Sequence, residues 1–531
     1  MIDQIGPNYI GFQTSQLGNS FSTLNPKELK DNPYILHTAT EDEIHRAAEL
    51  SEKAFYEYAE LSGSRRAAFL EAIASEMETI KEDIVKVYCS ESGLPEGRAN
   101  GEFGRTCFQL RSYANHIRKE EHLNLKIDTA DEERQPMPKP DLRKLSIPIG
   151  PIAVFGSSNF PLAYSTAGGD TASALAAGCT VVLKAHPMHA ATSSLVALAI
   201  LKAAKLTEMP EGVFSHLNSN THQEGQLLVS HPAIKGVGFT GSLKGGRALF
   251  DLASKRKTPI PVFAEMGSVN PVIILPKAVE NKAIWTSSIA ASMALAAGQF
   301  CTNPGLLILF KDKNSEPFIS DLTQSLAETG DSCMLHPSIF ENFQKNKAKL
   351  LKQKGVQLLS GTSTTNAAED HINGEKVLAK VSAKTFIDNP ELHEEVFGVF
   401  SLIIELENTE DLFHLICTLE GQLTGSILGE EAEFKTFERE INMLKHKVGR
   451  LIFNGVPTGV EVCESMLHGG PYPSTTDPRY TAVGVDSIQR WLRPLSYQNC
   501  PETLLPEALH NKNNAMKMRR VNSKFNNESI V

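Results

Sequence analysis

The sequence has no CxxC pair, no basic excess, no G-x-G-x-x-G after an apolar strand and no leader-like start. Its eight cysteines stand apart at 89, 107, 179, 301, 333, 417, 463 and 500. That spacing fits neither a disulfide framework nor a structural zinc site, so most are expected to be buried thiols in a reducing cytoplasm. The 52 Lys plus Arg against 62 Asp plus Glu give a net charge of -10, which excludes a broadly basic nucleic-acid surface. Residues 1–20 place Asp3, Gln4, Pro7, Asn8 and Gln13 among the apolar positions and do not read as a secretory signal. The apolar stretch 289–297 is broken by Ser292 and ends at Gly298, well short of the ~20 residues that span a bilayer. A soluble cytoplasmic protein with no nucleic-acid or membrane partner is expected.

What is present is length and alternation. A chain of 531 residues exceeds one compact unit, so two or three are expected. Over 41–92, apolar residues recur at helical spacing: Ala47, Leu50, Ala54, Phe55, then Phe69, Ile73, Met77 and Ile80. Residues 120–141 are charged and carry Pro136, Pro138 and Pro140, which predicts an exposed connection or extended arm. Strand and helix patterns then alternate: strands at 149–155, 180–184, near 213, 235–239 and 260–264, with helices at 165–177, 190–204, 223–229 and 244–253. Alternation of this kind argues for a parallel sheet covered on both faces. A second α/β unit begins at 271–275 and continues through a helix at 283–297 and a strand at 306–309 to about residue 457. Beyond Asn511 the chain is polar and basic and predicts a frayed surface end.

Several residues stand where chemistry is done. Gly298-Gln299-Phe300-Cys301-Thr302-Asn303-Pro304 follows an apolar helix, so Cys301 sits in a turn that can present its thiol. Glu265 closes an apolar strand before Met266 and Gly267, where its carboxylate can enter a cleft or simply face water. Asn159 follows Phe155-Gly156-Ser157-Ser158 at another strand end; its amide can serve its own turn or stabilise an oxyanion. Gly241 and Ser242 close a third strand and open a helix, a place for an N-cap or for a phosphate. No histidine stands at a telling spacing from Cys301, which argues against a cysteine hydrolase, and the intact Cys301, Glu265 and Asn159 argue against a catalytically silent binding protein.

Together the Asn159 turn, the Lys184 strand end, Phe239–Ser242, Glu265-Met266-Gly267, Gly298–Pro304 and Glu394-Glu395-Val396-Phe397-Gly398 resemble the aldehyde dehydrogenase superfamily, in order, from about residue 30 to about residue 500. The resemblance implies Cys301 as nucleophile, Asn159 and the Cys301 N–H as oxyanion donors, and Glu265 as the base for water. It implies Lys184 at the adenosine ribose, Gly241 and Ser242 at the pyrophosphate, and Glu395 with Phe397 at the nicotinamide ribose and ring. No metal is implied. The fold implied is α/β: a Rossmann-like NAD(P)-binding domain from 1–124 and 149–262, a catalytic domain from 263–460, and a small bridging β-sheet from 125–148 and 481–499, with a polar tail at 511–531. Such arms imply a homodimer or homotetramer. The sequence departs from the commoner pattern at Met266 and Ser268 and at Gly398-Val399.

A closer resemblance is to bacterial 2,5-dioxovalerate (α-ketoglutaric semialdehyde) dehydrogenases. It is carried by Phe155–Pro161, Lys184-Ala185-His186-Pro187, Ala264–Pro271, Phe453–Val462 and His468-Gly469-Gly470-Pro471-Tyr472-Pro473. The same subgroup holds NADP-dependent fatty aldehyde dehydrogenases, so a long apolar aldehyde is the alternative substrate. Pro187 stands where many NAD-preferring members carry a glutamate, which points to NADP with NAD possible. Arg105 falls where other members line the aldehyde tunnel with an apolar residue, opposite Phe160, Tyr164 and Phe300. It is expected either to bind a substrate carboxylate or to turn outward and pair with Glu102.

Overall fold

A computed structural model describes residues 4–362 and 371–530. Four helices, Glu41–Tyr58, Gly63–Thr79, Lys81–Ser92 and Glu96–Arg118, form the amino-terminal layer. The first starts sharply because Thr40 accepts the Glu43 N–H while the Glu43 side chain returns to the Thr40 N–H, a reciprocal cap. The apolar stripe visible in the sequence is buried: Ala47, Phe69, Ile73 and Met77 have no exposure.

The first sheet runs Val262–Glu265, Gly236–Thr240, Ile152–Phe155, Val181–Lys184, Phe214–Leu217, Asn8–Ile10 and Gln13–Ser15. The first five of these strands are parallel, and only the Asn8–Ile10 and Gln13–Ser15 end is joined by antiparallel pairing. From Ile152–Phe155 the chain winds one way through Val181–Lys184 to Phe214–Leu217, then crosses back to lay Gly236–Thr240 on the other side. Crossovers leave in opposite directions at that reversal, which opens a crevice at the carboxyl ends of the strands. Asn159, Lys184, Gly241, Ser242 and Glu265 all follow or occupy those carboxyl ends. The helix Ala190–Leu206 covers this sheet. It belongs to Pro187–Leu206, the one described helical stretch long and apolar enough to cross a membrane, and 78% of that stretch is buried in the core. Its apolar character therefore serves packing against the sheet.

The second sheet runs Gln357–Ser360, Val377–Ser382, Phe400–Leu406, Leu306–Phe310, Val272–Ile274, Gln422–Leu428 and Val448–Phe453, parallel except for its first strand. Residues 266–271 lead directly from Glu265 in the first sheet to Val272 in the second. Cys301 lies just ahead of Leu306–Phe310, so the carboxyl ends of one sheet and the amino ends of the other meet at these two residues.

A third sheet pairs Leu492–Gln498 with Leu142–Pro148 over seven residues, then continues through Lys126–Asp128, Arg519–Val521 and Lys524–Asn526. Of the exposed connection or extended arm expected at 120–141, the structure has the arm: Lys126–Asp128 is a strand whose Ile127 is fully buried. One expectation is corrected here. The carboxyl-terminal end is not frayed: Arg520 and Asn522 donate their N–H groups to Leu125 and Ile127 carbonyls, and Arg519 is buried with its guanidinium on the carbonyls of His510, Asn511 and Glu528. Main-chain pairing and one buried guanidinium hold this segment, and neither leaves an apolar period in sequence.

The cysteines also depart from expectation. All eight are free, but only Cys107 and Cys179 are buried, and Cys417 and Cys463 are exposed.

Candidate active site

The turn that carries Cys301 begins earlier than its sequence suggests. The helix expected over 283–297 ends at Ala294, and Ala296 (φ 49°), Ala297 (φ 56°) and Gly298 (φ 70°) follow in the left-handed region. An alanine there costs about 1–2 kcal/mol, so tertiary contacts impose the conformation. Gly298 is obligatory: a Cβ on it would lie 2.3 Å from the Gly398 backbone. The reversed turn aims the Gln299 carbonyl at Asn159, whose Nδ2 donates to it at 3.0 Å. A primary amide nitrogen carries two hydrogens, so this bond fixes the amide plane and leaves the second for another acceptor. On the other side, Asn270 Nδ2 donates to the Cys301 carbonyl at 2.8 Å and to the Asn303 carbonyl at 2.9 Å. Asn270 is itself gripped through its Oδ1 by the Ser268 and Thr424 hydroxyls.

Glu265 ends the strand Val262–Glu265 with its side chain 3% exposed. Neither of its buried oxygens has a hydrogen-bond partner. His468 Nε2 lies 3.0 Å from Glu265 Oε2, within ion-pair range, and 3.6 Å from Cys301 Sγ. Burial is the largest influence on the Cys301 thiol and pushes its pKa well above the ordinary value; the Glu265 and Glu395 charges push the same way, while its own N–H opposes them. Folding brings His468 to the sulfur across a separation of 167 residues, a spacing that carries no signal by itself. The one signal in the sequence is the His468-Gly469-Gly470 turn, in which a Cβ on Gly470 would lie 2.3 Å from the Gln422 carbonyl.

Cys301 opens onto a cavity of about 430 Å³ lined by Arg98, Arg105, Phe160, Tyr164, Phe300, Thr302 and Arg450, among others. Phe160 packs edge-on against Tyr164 and Phe300, with ring centres 5.0 and 5.2 Å apart. Arg105 does not pair with Glu102. Its guanidinium donates to the Val460 carbonyl, and Nη2 lies 3.5 Å from the Tyr164 hydroxyl. Two further cations, unmarked in the sequence, face the same space. Arg98 stacks over Phe160 and Phe300 at 4.4 and 4.9 Å, with Nε and Nη2 buried and lacking hydrogen bonds. Arg450 is spent on the Pro457 and Gly459 carbonyls.

The remaining sequence-named residues lie at the same crevice. Lys184 is half-buried at its strand end and its amine forms no hydrogen bond or ion pair among the described residues; desolvation pulls its pKa down to about 8, against the opposing charge of Glu224. Ser242 caps the helix Leu243–Ser254 by accepting the Gly245 N–H at 3.2 Å. The Gly241 N–H donates to the Glu265 carbonyl at 3.0 Å. Glu395 and Phe397 line a depression with Ser268 and Gly298. Burial raises the Glu395 carboxyl to about 7, partly opposed by a hydrogen bond from the Ser268 backbone.

A turn-borne thiol beside an oriented amide, a dry carboxylate and a strand-end crevice suits covalent capture of a carbonyl. Residues 12–493 match the model of the aldehyde dehydrogenase family, and the chain belongs to that family. It is an oxidoreductase acting on aldehydes. It is 40% identical over 527 residues to the α-ketoglutaric semialdehyde dehydrogenase of Acinetobacter baylyi, covering 98% of this chain and 99% of the relative. It is 43% identical over 481 residues to α-ketoglutaric semialdehyde dehydrogenase 2 of Azospirillum brasilense, covering 90% and 91%. The fold is also that of 1-pyrroline-5-carboxylate dehydrogenase from Thermus with bound NAD, with a TM-score of 0.78, 21% identity and 93% of both chains covered.

Proposed function

We propose that this chain oxidises α-ketoglutaric semialdehyde (2,5-dioxovalerate) to 2-oxoglutarate, with Cys301 as nucleophile and a nicotinamide cofactor as oxidant. The observation that carries the substrate is the cavity that joins the Cys301 sulfur to the guanidinium groups of Arg98 and Arg105. Partly desolvated guanidinium groups in a cavity shared with the rings of Phe160, Tyr164 and Phe300 favour an anionic ligand, and a carboxylate can take one through two parallel hydrogen bonds. A fatty aldehyde would bring no anion to either guanidinium, leaving Arg98 with only the Glu102 carboxylate at 3.5 Å and Arg105 with the Val460 carbonyl.

The chain's own groups account for the chemistry on the sulfur. Cys301 Sγ gives up its proton, His468 Nε2 being the nearest base and Glu265 the next, and attacks the aldehyde carbon. The second hydrogen of Asn159 Nδ2 and the Cys301 N–H hold the oxyanion. When bound, the cofactor accepts the hydride. Glu265, 3.0 Å from His468 and with both oxygens free of hydrogen bonds, then takes a proton from the water that cleaves the thioester.

The residues present suit a dinucleotide. Lys184 offers a half-buried amine without a protein partner among the described residues, the helix at Ser242 offers free N–H groups, and Glu395 offers a carboxyl for a ribose hydroxyl. Pro187, where a carboxylate would repel a 2'-phosphate, and the Lys184 amine support NADP as the preferred form. The cofactor domain is assigned to residues 1–124 and 149–262, the catalytic domain to 263–460. The bridging segments are 125–148 and 481–499, with the tail 511–531 attached to them. The large apolar side chains Leu504, Met516, Met518 and Phe525, all more than half exposed beside the third sheet, support a homodimer or homotetramer built through that region. A cytoplasmic location fits this soluble chemistry.

Initial rates on 2,5-dioxovalerate and on uncharged aldehydes of similar length, with NADP and NAD in parallel, test the reading. The acid aldehyde is expected to have the highest kcat/KM and Cys301→Ala to have none; a long neutral aldehyde winning by tenfold would reject it.

A further inference from the structure

We propose that Cys301, His468 and Glu265 also form a chelating site for a thiophilic divalent cation such as Zn²⁺, whose binding shuts the enzyme off reversibly. The sulfur, the His468 imidazole nitrogen and a Glu265 oxygen all lie within 4.8 Å of one another. Two edges of this triangle are 3.6 Å, from Cys301 Sγ to His468 Nε2, and 3.0 Å, from His468 Nε2 to Glu265 Oε2. A tetrahedral zinc with bonds of about 2.3 Å to sulfur and about 2.0–2.2 Å to nitrogen and oxygen has ligand-to-ligand edges of about 3.3–3.6 Å. Those two edges are within a few tenths of an ångström of the tetrahedral values, and the third, from the sulfur to the Glu265 oxygen, lies within 4.8 Å and closes by side-chain rotation.

The carboxylate has room for a cation: beyond the His468 Nε2 contact at 3.0 Å, the buried Glu265 oxygens have acceptor capacity that well-aligned hydrogen bonds do not fill. The backbone that carries the imidazole is anchored on both sides: the His468 N–H donates to Thr481 Oγ1 at 2.9 Å, and its carbonyl accepts from Ala482 at 2.8 Å. Glu395 acts on Cys301 with the same sign as Glu265, whereas Arg98, Arg105 and Arg450 line the adjoining cavity and oppose a cation, so the three ligands and not the surrounding charge must hold it. Soft sulfur and imidazole select zinc over magnesium or calcium. On binding, the Cys301 thiol loses its proton to solvent, a sulfur–metal bond forms and His468 Nε2 gives its lone pair. No electron changes hands. The cation's fourth position faces the aldehyde cavity, where water completes the shell, and the sulfur lone pair that attacks the aldehyde is occupied.

Calorimetric titration of the chelator-stripped, full-length protein with Zn²⁺ tests this without any turnover, and Co²⁺ substitution adds a thiolate-to-metal charge-transfer band. One ion per chain is expected, with the band lost in Cys301→Ser and affinity lowered at least about tenfold in His468→Ala. Should either variant misfold, Zn²⁺ protection of wild-type Cys301 from iodoacetamide, reversed by chelator, is the second readout. Unchanged affinity in both variants, alkylation untouched by Zn²⁺, or Zn²⁺ bound only through surface histidines such as His45 and His231 would overturn the proposal. Because the readout is binding, its failure leaves the aldehyde oxidation standing.

Discussion

The carboxylate of Glu102 receives the backbone N–H of Leu162 at 2.8 Å, and the same oxygen receives that of Ala163 at 2.9 Å. Its other oxygen accepts the Tyr88 hydroxyl at 2.7 Å and stands 3.5 Å from Arg98 Nη2. One buried carboxylate therefore pins the turn that carries Asn159 and Phe160 to the helix Glu96–Arg118 that carries Arg98 and Arg105. Glu102→Ala leaves three buried donors and a guanidinium unmatched, and is expected to lower the unfolding free energy by about 3–5 kcal/mol in urea. Glu102→Gln keeps an acceptor for the turn and should cost less than half as much. A loss under about 1 kcal/mol for the alanine variant would show that the turn holds itself.

Substrate choice is expected to depend on the pair of cavity arginines. Arg105→Met should remove roughly 2–4 kcal/mol of the advantage in kcat/KM that 2,5-dioxovalerate has over a neutral aldehyde of equal length. Arg98→Met should do the same while also loosening Glu102, so it alone should lower Tm. Neutral aliphatic aldehydes should react with Arg105→Met at nearly the wild-type rate. If both variants keep the preference for the acid aldehyde, the carboxylate is read elsewhere.

Glu265 acts on Cys301 in two opposed ways that kinetics can separate. Its charge raises the thiol pKa, so Glu265→Gln should alkylate with iodoacetamide faster than wild type at pH 8, because the thiolate forms more readily. The same variant lacks the base for thioester hydrolysis and should give a burst of reduced cofactor followed by a slow steady state. An undiminished steady-state rate would remove Glu265 from the hydrolytic step.

Glu395 links stability to pH. Its folded pKa of about 7 lies above the ordinary 4.5 because of burial, so the folded chain keeps a proton that the unfolded chain has released. This stabilisation is complete below pH 4.5 and is lost as pH rises through 7, a swing on the order of 3 kcal/mol. Glu91, likewise raised to about 7 by burial, adds a parallel loss. Denaturation of the cofactor-free protein between pH 5 and 8 should therefore show stability falling in wild type and falling less in Glu395→Gln. Identical slopes would mean that Glu395 is ionised in the folded protein throughout.

The alternation of apolar strands and helices carried the two large sheets, because residues buried on both faces leave continuous runs such as Val181-Val182-Leu183 and Leu306-Leu307-Ile308. Asn159, Glu265 and Cys301 could be singled out because each stands at an element boundary close to glycine, but position alone left a bland reading open for each and only the resemblance to the aldehyde dehydrogenase superfamily implied their roles. His468 could not be singled out this way: its pairing with Cys301 depends on how the segment after Val448–Phe453 returns to the crevice, which no local pattern encodes. Arg98 was hidden by its helix, where a charged residue ordinarily faces water. The left-handed turn at Ala296 and Ala297 ran against local preference, since alanine there reads as continued helix. The strands at the carboxyl-terminal end were missed because their partners lie far back in the chain.

That last separation bears on synthesis. The strand Lys126–Asp128 has its neighbour Leu142–Pro148 at once, but its other edge is covered only by Arg519–Val521. At ~5–20 residues per second, the ribosome needs roughly 20–80 s to deliver that partner. Throughout that interval a row of unpaired N–H and C=O groups faces solvent, including the Leu125 and Ile127 carbonyls later taken by Arg520 and Asn522. An open sheet edge is a template for any passing strand, so the polyribosome, where many identical nascent chains crowd together, is where this protein is most exposed to mispairing.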